Sequence, residues 1–258
     1  MQSKSPLDGS IFSLAGQTAL VTGASAGLGT HFASVLAAAG ADVIITARRE
    51  AQLDQVASNI RAAGGTCSVE RLDVADPVSV GALGTLLDNV DILVNNAGIV
   101  RDAPALEQSE ADWDAVINTN LKGMFMLATA TARAMRARGK GGSIINIASI
   151  LGLRQASGVL PYAVSKAGTI QLTKTLALEV ARFGVRVNAI APGYLDTDLN
   201  TGFWKSEAGK AMLRRIPQRR LGRLEDLDGS LLLLASEASA YMTGAVLTVD
   251  GGHVVSTL

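Results

Sequence analysis

The stretch Thr18-Ala-Leu-Val-Thr-Gly-Ala-Ser-Ala-Gly-Leu-Gly29 leads from a short apolar segment into a glycine-rich turn, and the helical pattern THFASVLAAAG (30–40) follows directly. Glycines at such a position permit a tight turn, close approach of the backbone to a pyrophosphate, and close packing of helix on strand. The N-terminus of the helix attracts the phosphate charge. The order of strand, glycine turn and helix therefore predicts the first unit of a dinucleotide-binding α/β fold.

The alternation of short β-branched segments with longer helical patterns continues along the chain. Seven segments are typical of strands: TALVT (18–22), VIIT (43–46), SVERL (68–72), DILV (91–94), SIINIAS (143–149), VRVNAI (185–190) and AVLTV (245–249). Strands separated by helices pair in parallel, because each connection crosses back over the sheet. We predict an α/β fold with a doubly wound, seven-stranded parallel sheet and helices on both faces. No linker or repeat divides the chain, so residues 1–258 are expected to form one domain.

Composition excludes several classes of function. Lys plus Arg equals Asp plus Glu at 23 each, so there is no basic field to hold nucleic acid. The lone Cys67 leaves no internal disulfide or cysteine-rich metal site and favours a reducing, cytoplasmic setting. Residues 1–12 lack the apolar core of a signal peptide and are expected to form a loose arm. No apolar stretch is long enough to span a membrane, so we expect a soluble protein with no membrane partner.

The segment Pro161-Tyr-Ala-Val-Ser-Lys166 places a phenol and an ammonium four residues apart, on one face if the segment is helical. A free phenol titrates near pH ~10, so at neutral pH it is a poor base until a neighbouring cation stabilises the phenolate. Lys166 could supply that charge. The same spacing also occurs by chance on many helices, and it becomes informative only together with other motifs.

Those motifs are present in a fixed order. The turn Thr22-Gly-x-x-x-Gly-x-Gly29 departs from the common Gly-x-Gly-x-x-Gly pattern, and it is followed by Asn95-Asn96-Ala97-Gly98, Asn118-Thr-Asn120-Leu121, Ser149, Tyr162-x-x-x-Lys166 and Pro192-Gly193-x-x-x-Thr197. This set resembles the short-chain dehydrogenase/reductase family, over about residues 14–252. The resemblance implies a Rossmann-type fold and an NAD(P)-dependent enzyme that interconverts a carbonyl and a secondary alcohol.

The resemblance assigns four catalytic residues. Tyr162 would be the general acid/base, and Lys166 would bind the nicotinamide ribose and lower the pKa of the tyrosine. Ser149 would polarise the substrate carbonyl, and Asn120 would hold a water that connects Lys166 to solvent. These roles make chemical sense, because hydride transfer builds negative charge on a carbonyl oxygen and two hydroxyl donors would meet it there.

The resemblance also implies which residues hold the dinucleotide. They lie at the ends of successive strands: Gly23, Ser25, Ala26, Gly27, Leu28 and Gly29 near the phosphates, Asp73 and Val74 near the adenine, Asn96, Ala97 and Gly98 near the adenosine ribose, Tyr162 and Lys166 near the nicotinamide ribose, and Pro192, Gly193, Leu195 and Thr197 near the carboxamide.

The end of the second strand favours NADP over NAD. An acidic residue there would bind a free ribose 2′-hydroxyl, but the sequence reads Ala47-Arg48-Arg49, with no carboxylate before Glu50. An arginine fork suits a 2′-phosphate. Cations at the start of a helix are mildly unfavourable, which points to an anionic ligand, although a solvated helix start would also accommodate them. NAD remains possible.

The longest interval between strands, residues 196–239, is expected to cover the substrate, since ligands bind beyond the carboxyl ends of parallel strands. Chain proximity to the motifs predicts a largely apolar substrate pocket, which favours a fairly apolar small ketone. Its residues would be Leu151, Leu153, Gln155, Leu160, Tyr194, Phe203 and Trp204.

Other functions remain open. A 3-oxoacyl-carrier-protein reductase could dock its acidic partner on Arg133, Arg136, Arg138 and Lys140, and an NAD-dependent alcohol or sugar dehydrogenase would use the same motifs. A non-catalytic dinucleotide-binding sensor would have no need of the four catalytic residues. Neither His31 nor His253 has a partner at ligand spacing, so no metal is expected. The resemblance implies a homotetramer, in which helices near 112–137 and 162–183 could pack across a two-fold axis.

Overall fold

The computed structural model describes residues 9–196, 204 and 206–256. Seven parallel strands form one sheet in the order β3-β2-β1-β4-β5-β6-β7. The strands are β1 (Thr18–Thr22), β2 (Asp42–Ala47), β3 (Thr66–Arg71), β4 (Ile92–Asn95), β5 (Gly142–Ile147), β6 (Val185–Pro192) and β7 (Val246–Val249). The predicted sheet is therefore confirmed.

Helices cover both faces of the sheet. They are α1 (Gly27–Ala38), α2 (Glu50–Ala62), α3 (Pro77–Ala82), α4 (Glu110–Ile117), α5 (Met124–Arg138), α6 (Leu160–Val180), α7 (Glu207–Leu213) and α8 (Asp228–Ala235). Because side chains alternate along a strand, Val21 of β1 points into one apolar layer with α1, α2 and α8, and Leu20 points into the other with α5 and α6. Both side chains are fully buried.

The functional crevice follows from the strand order. Strand β1 lies between β2 and β4, so the chain reverses its winding at β1, and a crevice opens beyond the carboxyl ends of β1 and β4. Thr22 Oγ1 accepts hydrogen bonds from the backbone N–H groups of Asn96 and Ala97, each at 3.0 Å. The Asn96 amide donates back to the Thr22 carbonyl at 2.9 Å. These bonds fix the two strand ends to each other.

The chain from α4 to α5 is nearly one helix, interrupted by a π turn over Asn118–Gly123. Such a turn inserts an extra residue into the helix and is frequent at functional sites. Gly123 is required there, because a Cβ atom would lie 2.5 Å from the Val74 carbonyl oxygen. The π turn therefore packs directly against the segment that follows β3.

Only part of the predicted covering segment, 196–239, can lie over the site. Helix α8 instead belongs to the core, because Leu231 and Leu234 are fully buried in the layer that also contains α1. Of the predicted N-terminal arm, residues 1–8 lie outside the described residues, and Ser10–Phe12 form a short 3-10 turn. Within the described part of the chain, no helix has both the length and the apolar character needed to cross a membrane.

Candidate active site

Ser149 and Tyr162 bring two hydroxyl groups together at the carboxyl end of β5. Ser149 lies two residues beyond that strand, where its Oγ accepts a hydrogen bond from Leu151 N at 3.1 Å and so begins a short 3-10 turn. Tyr162 lies in the first turn of α6, next to Pro161, a residue that the start of a helix tolerates. A side-chain hydrogen bond joins Tyr162 to Ser149. The pair can therefore address one substrate oxygen.

Lys166 lies one helical turn after Tyr162, on the same face of α6. Its Nζ is 5.4 Å from the centroid of the Tyr162 ring and donates a hydrogen bond to the Ile147 carbonyl at 2.7 Å. The residue is only 3% exposed, and this burial lowers the pKa of its ammonium from 10.5 to about 8. The ammonium thus titrates close to neutral pH.

The acidity of Tyr162 differs from the family expectation. Burial raises the pKa of the phenol, the hydrogen bond to Ser149 opposes that rise, and the neighbouring Tyr194 adds to it. The resemblance implies that Lys166 lowers the pKa of Tyr162, and this effect is not found in this structure. The Lys166 ammonium is hydrogen-bonded to the Ile147 carbonyl, and burial lowers its own pKa. Tyr162 is therefore protonated at neutral pH here, the state of a proton donor.

Asn120 is fully buried on the π turn and contacts Ser165, which lies on α6. Its side chain accepts from Ile99 N at 2.8 Å and donates to the Ile99 carbonyl at 2.9 Å and to Ser165 Oγ at 3.2 Å. Ser165 in turn donates to the Tyr162 carbonyl at 2.7 Å. No direct hydrogen bond from Asn120 to Lys166 is present among the described residues.

Sequence reasoning did not select Ser165 as a site residue. A polar side chain between Tyr162 and Lys166, at a position one turn from the tyrosine, is the signal that could have found it. Ser165 links Asn120 to the catalytic helix and is therefore a positioning residue.

A cleft of about 490 Å³ opens at the crevice between β1 and β4. Eleven residues predicted to hold the dinucleotide line it: Gly23, Ser25, Ala26, Leu28, Arg48, Arg49, Asp73, Val74, Asn96, Ala97 and Gly98. The cleft is also lined by residues that were not predicted, namely Thr46, Ala47, Leu72, Ile99 and Thr119.

Gly27 and Gly29 of the turn have different roles. A Cβ at Gly29 would lie 2.4 Å from the Gly23 carbonyl oxygen, so Gly29 allows α1 to pack against the turn. Gly27 has φ +56°, and a Cβ there would meet nothing within 4 Å. Gly27 is therefore favoured by its left-handed backbone conformation and not by lack of space for a side chain.

The arginines after β2 face this cleft. Arg49 Nη2 donates to Ser25 Oγ at 2.9 Å, within the glycine-rich turn. Arg48 Nη1 lies 4.0 Å from Asp73 Oδ2. Glu50, the first carboxylate after the strand, lies 3.8 Å from Arg71 instead. Two cations, Arg48 and Arg49, thus lie at the adenosine end of the cleft together with the Asp73 carboxylate, and the Arg49 guanidinium, which has a neutral partner, suits a 2′-phosphate.

Strand β6 brings Pro192, Gly193 and Leu195 to the other end of the crevice. Gly193 passes close to β7, since a Cβ there would lie 2.7 Å from Asp250 Cα. Leu195 forms an isolated bridge with Gly222. Thr197, the remaining predicted carboxamide contact, lies outside the described residues.

The predicted substrate residues divide into two groups. The ring of Tyr194 meets the buried Trp204 edge-on, with 5.4 Å between centroids, and Leu151 is partly buried. Leu153 and Leu160 are 42% and 44% exposed, and Gln155 is also exposed, so these three form at most the rim. Phe203 lies outside the described residues.

His253, which sequence reasoning set aside, joins the first group. Its ring lies 5.5 Å from that of Tyr194. The signal that could have found it is an aromatic, polar side chain just after the last strand, where the carboxyl ends of the sheet meet the site. The described residues contain no group of three or more His, Cys, Asp or Glu side chains that could hold a metal.

Comparison with known proteins gives a consistent result. A family model described as enoyl-(acyl carrier protein) reductase matches residues 23–254. Gluconate 5-dehydrogenase from Gluconobacter oxydans is 39% identical over 251 residues, which cover 95% of this chain and 98% of that protein. A 3-oxoacyl-[acyl-carrier-protein] reductase from Synechocystis is 41% identical over 248 residues, covering 94% and 98%.

A solved structure agrees with these relatives. The gluconate 5-dehydrogenase from Burkholderia cenocepacia, in complex with NADP and tartrate, superposes with a TM-score of 0.91 at 38% identity, covering 96% of this chain and 98% of that one. The chain therefore belongs to the short-chain dehydrogenase/reductase family, which confirms the resemblance. It is an NAD(P)-dependent oxidoreductase that acts on CH–OH groups.

The buried ammonium gives a pH-dependent prediction. Below about pH 8, Lys166 is charged in both folded and unfolded chains, so its burial opposes folding in full. As the pH rises from about 8 toward 10.5, the folded protein loses that charge first and the penalty disappears. The stability of the wild type relative to Lys166→Met should therefore rise over this range, as measured by calorimetric melting temperatures.

Lys174→Met is the matched control, because Lys174 is exposed on the same helix. Its difference from the wild type should stay constant between pH 7 and pH 10. An equally constant difference for Lys166→Met would contradict the lowered pKa.

Proposed function

We propose that this protein is an NADP(H)-dependent ketone reductase, which interconverts a small, fairly apolar ketone and the corresponding secondary alcohol with Tyr162 as general acid/base. The observation that carries the proposal is the buried Lys166 ammonium 5.4 Å from the centroid of the Tyr162 ring, with the Ser149 side chain also acting on the phenol. A protein that only sensed dinucleotides would have no use for this arrangement.

Each residue has a role that follows from its contacts. When bound, the nicotinamide supplies the hydride. Ser149 and Tyr162 donate hydrogen bonds to the carbonyl oxygen as it gains negative charge, and Tyr162 delivers its proton there. The Lys166 ammonium stabilises the phenolate that remains. Asn120, through Ser165, holds the first turn of α6 and so keeps the phenol in position.

Tyr162→Phe tests the assignment of the proton donor. Removing one hydroxyl leaves the cofactor cleft intact, so kcat for ketone reduction should fall by roughly 10²- to 10⁴-fold while the Kd for NADPH changes little. Tyr241→Phe, at a residue that is fully exposed, is the control and should retain activity. A weaker Kd for NADPH in Tyr162→Phe, together with an unchanged kcat at saturating NADPH, would show that the tyrosine is misassigned.

The choice of NADP is supported by the cationic end of the cleft and by the Burkholderia cenocepacia relative that was solved with NADP. Arg49 is hydrogen-bonded to Ser25 at the edge of the cleft, so a 2′-phosphate beside this pair would receive charge-assisted hydrogen bonds from the guanidinium. The absence of a carboxylate between Ala47 and Glu50 leaves a free 2′-hydroxyl without its usual acceptor.

Arg49→Gln is expected to raise the KM for NADPH about tenfold and to leave the KM for NADH nearly unchanged, because only NADPH carries the 2′-phosphate. Initial rates with each cofactor measure the effect. Arg71→Gln, which removes a nearby exposed arginine that does not line the cleft, should preserve the wild-type preference. Equal changes for both cofactors in Arg49→Gln would mean that Arg49 does not read the phosphate.

The substrate class is supported by the aromatic pair Tyr194 and Trp204, on which an apolar body could pack. A second candidate is a polar hydroxy acid or an acyl-carrier substrate, as the names of the two curated relatives suggest. Following NADPH absorbance with aromatic ketones, β-keto esters, acyl thioesters and keto sugars would separate these classes.

We further propose a homotetramer whose interfaces use α5 and α6. Apolar side chains project from both helices to the surface, since Phe125 is 48% exposed and Leu178 is 82% exposed. Such exposed apolar groups are typical of surfaces that are buried between subunits.

Light scattering should therefore give the mass of four chains, and Leu178→Asp should shift it toward smaller species, since a charge is costly at an apolar interface. Leu106→Asp is the control, because Leu106 is fully exposed outside both helices. A wild-type protein with the mass of one chain would contradict the proposed homotetramer.

A further inference from the structure

The chain after β7 runs along the substrate side of the fold and is fixed there from two directions. On one side, Gln218 N donates a hydrogen bond to the Gly251 carbonyl at 3.1 Å. A Cβ at Gly252 would lie 3.1 Å from Pro217 Cγ, so the two segments are in close contact. The tail, defined here as residues 251–256, therefore packs against the segment that follows α7.

On the other side, the tail is held by Arg154, which lies in the loop between the two catalytic hydroxyl residues. Its Nη1 donates hydrogen bonds to the His253 carbonyl and, at 2.8 Å, to Ser256 Oγ. Because this loop begins at Ser149 and ends at the helix of Tyr162, Arg154 connects the tail to the wall of the active site.

The His253 ring lies beside Tyr194, a neighbour of the catalytic tyrosine. It lies 5.5 Å from the ring of Tyr194, and Tyr194 is close enough to Tyr162 to influence the pKa of its phenol. The Nδ1 atom of His253 is buried and has no hydrogen-bond partner among the described residues. A buried polar atom of this kind usually has a partner, so this atom is available to a ligand.

The surroundings of His253 carry an excess of positive charge. Burial lowers the pKa of its imidazole, and the charges of Arg154 and, more weakly, Arg215 act in the same direction against an opposing Asp250. The Asp250 carboxylate is engaged with the tail backbone, accepting from Gly252 N at 2.9 Å and Val254 N at 2.6 Å.

The two arginines lack carboxylate partners. Neither forms an ion pair with any carboxylate of residues 9–196, 204 and 206–256. Arg154 is partly buried, and a guanidinium in such a position is stabilised by an anion with which it can form paired hydrogen bonds. The imidazole of the tail and the two arginines that act on it thus have capacity to bind an anionic group.

We propose that Arg154, Arg215 and His253 form a cationic subsite at the far end of the substrate pocket, which binds a carboxylate group of the ketone substrate. The substrate would then be a keto acid whose carbonyl meets Ser149 and Tyr162, whose apolar middle lies along Tyr194, and whose carboxylate reaches the tail. This proposal rests on the proposed ketone reduction and specifies its substrate class.

The test compares each acid with its uncharged ester. The probes are 3-oxobutanoate, 4-oxopentanoate and 5-oxohexanoate with their methyl esters, each assayed with NADPH. For at least one chain length, the wild type should have a higher kcat/KM for the acid. Arg215→Gln should lower the acid-to-ester ratio about threefold and Arg154→Gln about tenfold, through the KM of the acid.

Two further variants, and a comparison of the acid with the ester, separate recognition from structural damage. Arg214→Gln removes the neighbouring exposed arginine, whose charge does not act on His253, and should leave the ratio unchanged. Arg154→Lys keeps the charge and should recover part of the preference for the acid. A loss of ester turnover equal to the loss of acid turnover in Arg154→Gln and in Arg215→Gln would overturn the proposal, since a structural role affects both substrates alike.

A binding measurement tests the subsite without turnover. Calorimetry on the wild-type enzyme loaded with NADP⁺ should show tighter binding of pentanoate than of pentanamide, with the difference lost in Arg215→Gln. Equal binding of the acid and the amide would overturn the subsite even if ketones are reduced. Conversely, selective pentanoate binding without reduction of any ketone would support the subsite and contradict the proposed function.

Discussion

The structure depends on the junction between the ends of β1 and β4. Thr22 Oγ1 accepts two backbone hydrogen bonds from Asn96 and Ala97, and the Asn96 amide returns one to Thr22. The same amide packs against Gly29, where a Cβ would lie 2.6 Å from its nitrogen. These contacts bring α1 close to both strands and hold open the crevice at the point where the winding of the sheet reverses. The dinucleotide cleft is a consequence of this junction.

The catalytic end is governed by the cost of burying polar and charged groups. Lys166 and Asn120 are almost completely buried, and each is satisfied mainly by backbone atoms, the Ile147 carbonyl for Lys166 and the Ile99 peptide for Asn120. Burial lowers the pKa of Lys166 from 10.5 to about 8 and raises that of Tyr162 above its ordinary value, so the two values move apart. As the pH rises, the lysine therefore loses its proton before the tyrosine does.

Family membership leaves the substrate open, and the relatives illustrate this point. A gluconate dehydrogenase and an acyl-carrier-protein reductase are similar to this chain to nearly the same degree, at 39% and 41% identity. Hydride chemistry makes the same demands in each of these reactions, so the groups that serve it do not distinguish one substrate from another. We therefore expect specificity to depend on other groups, and we place it in the contacts among Tyr194, Trp204, His253 and Arg154.

The class of fold, the seven strands and the family were predictable from the sequence, because strand periodicity, the glycine turn and the order of the motifs are local patterns. Much of the cleft lining was predictable for the same reason, since its residues follow strand ends. The link from Asn120 to α6 through Ser165, the place of α8 in the core and the position of His253 beside Tyr194 came from the three-dimensional structure. Each of these depends on contacts between segments far apart in the chain, such as Arg154 with the tail 99 residues later, and no local pattern encodes such a distance.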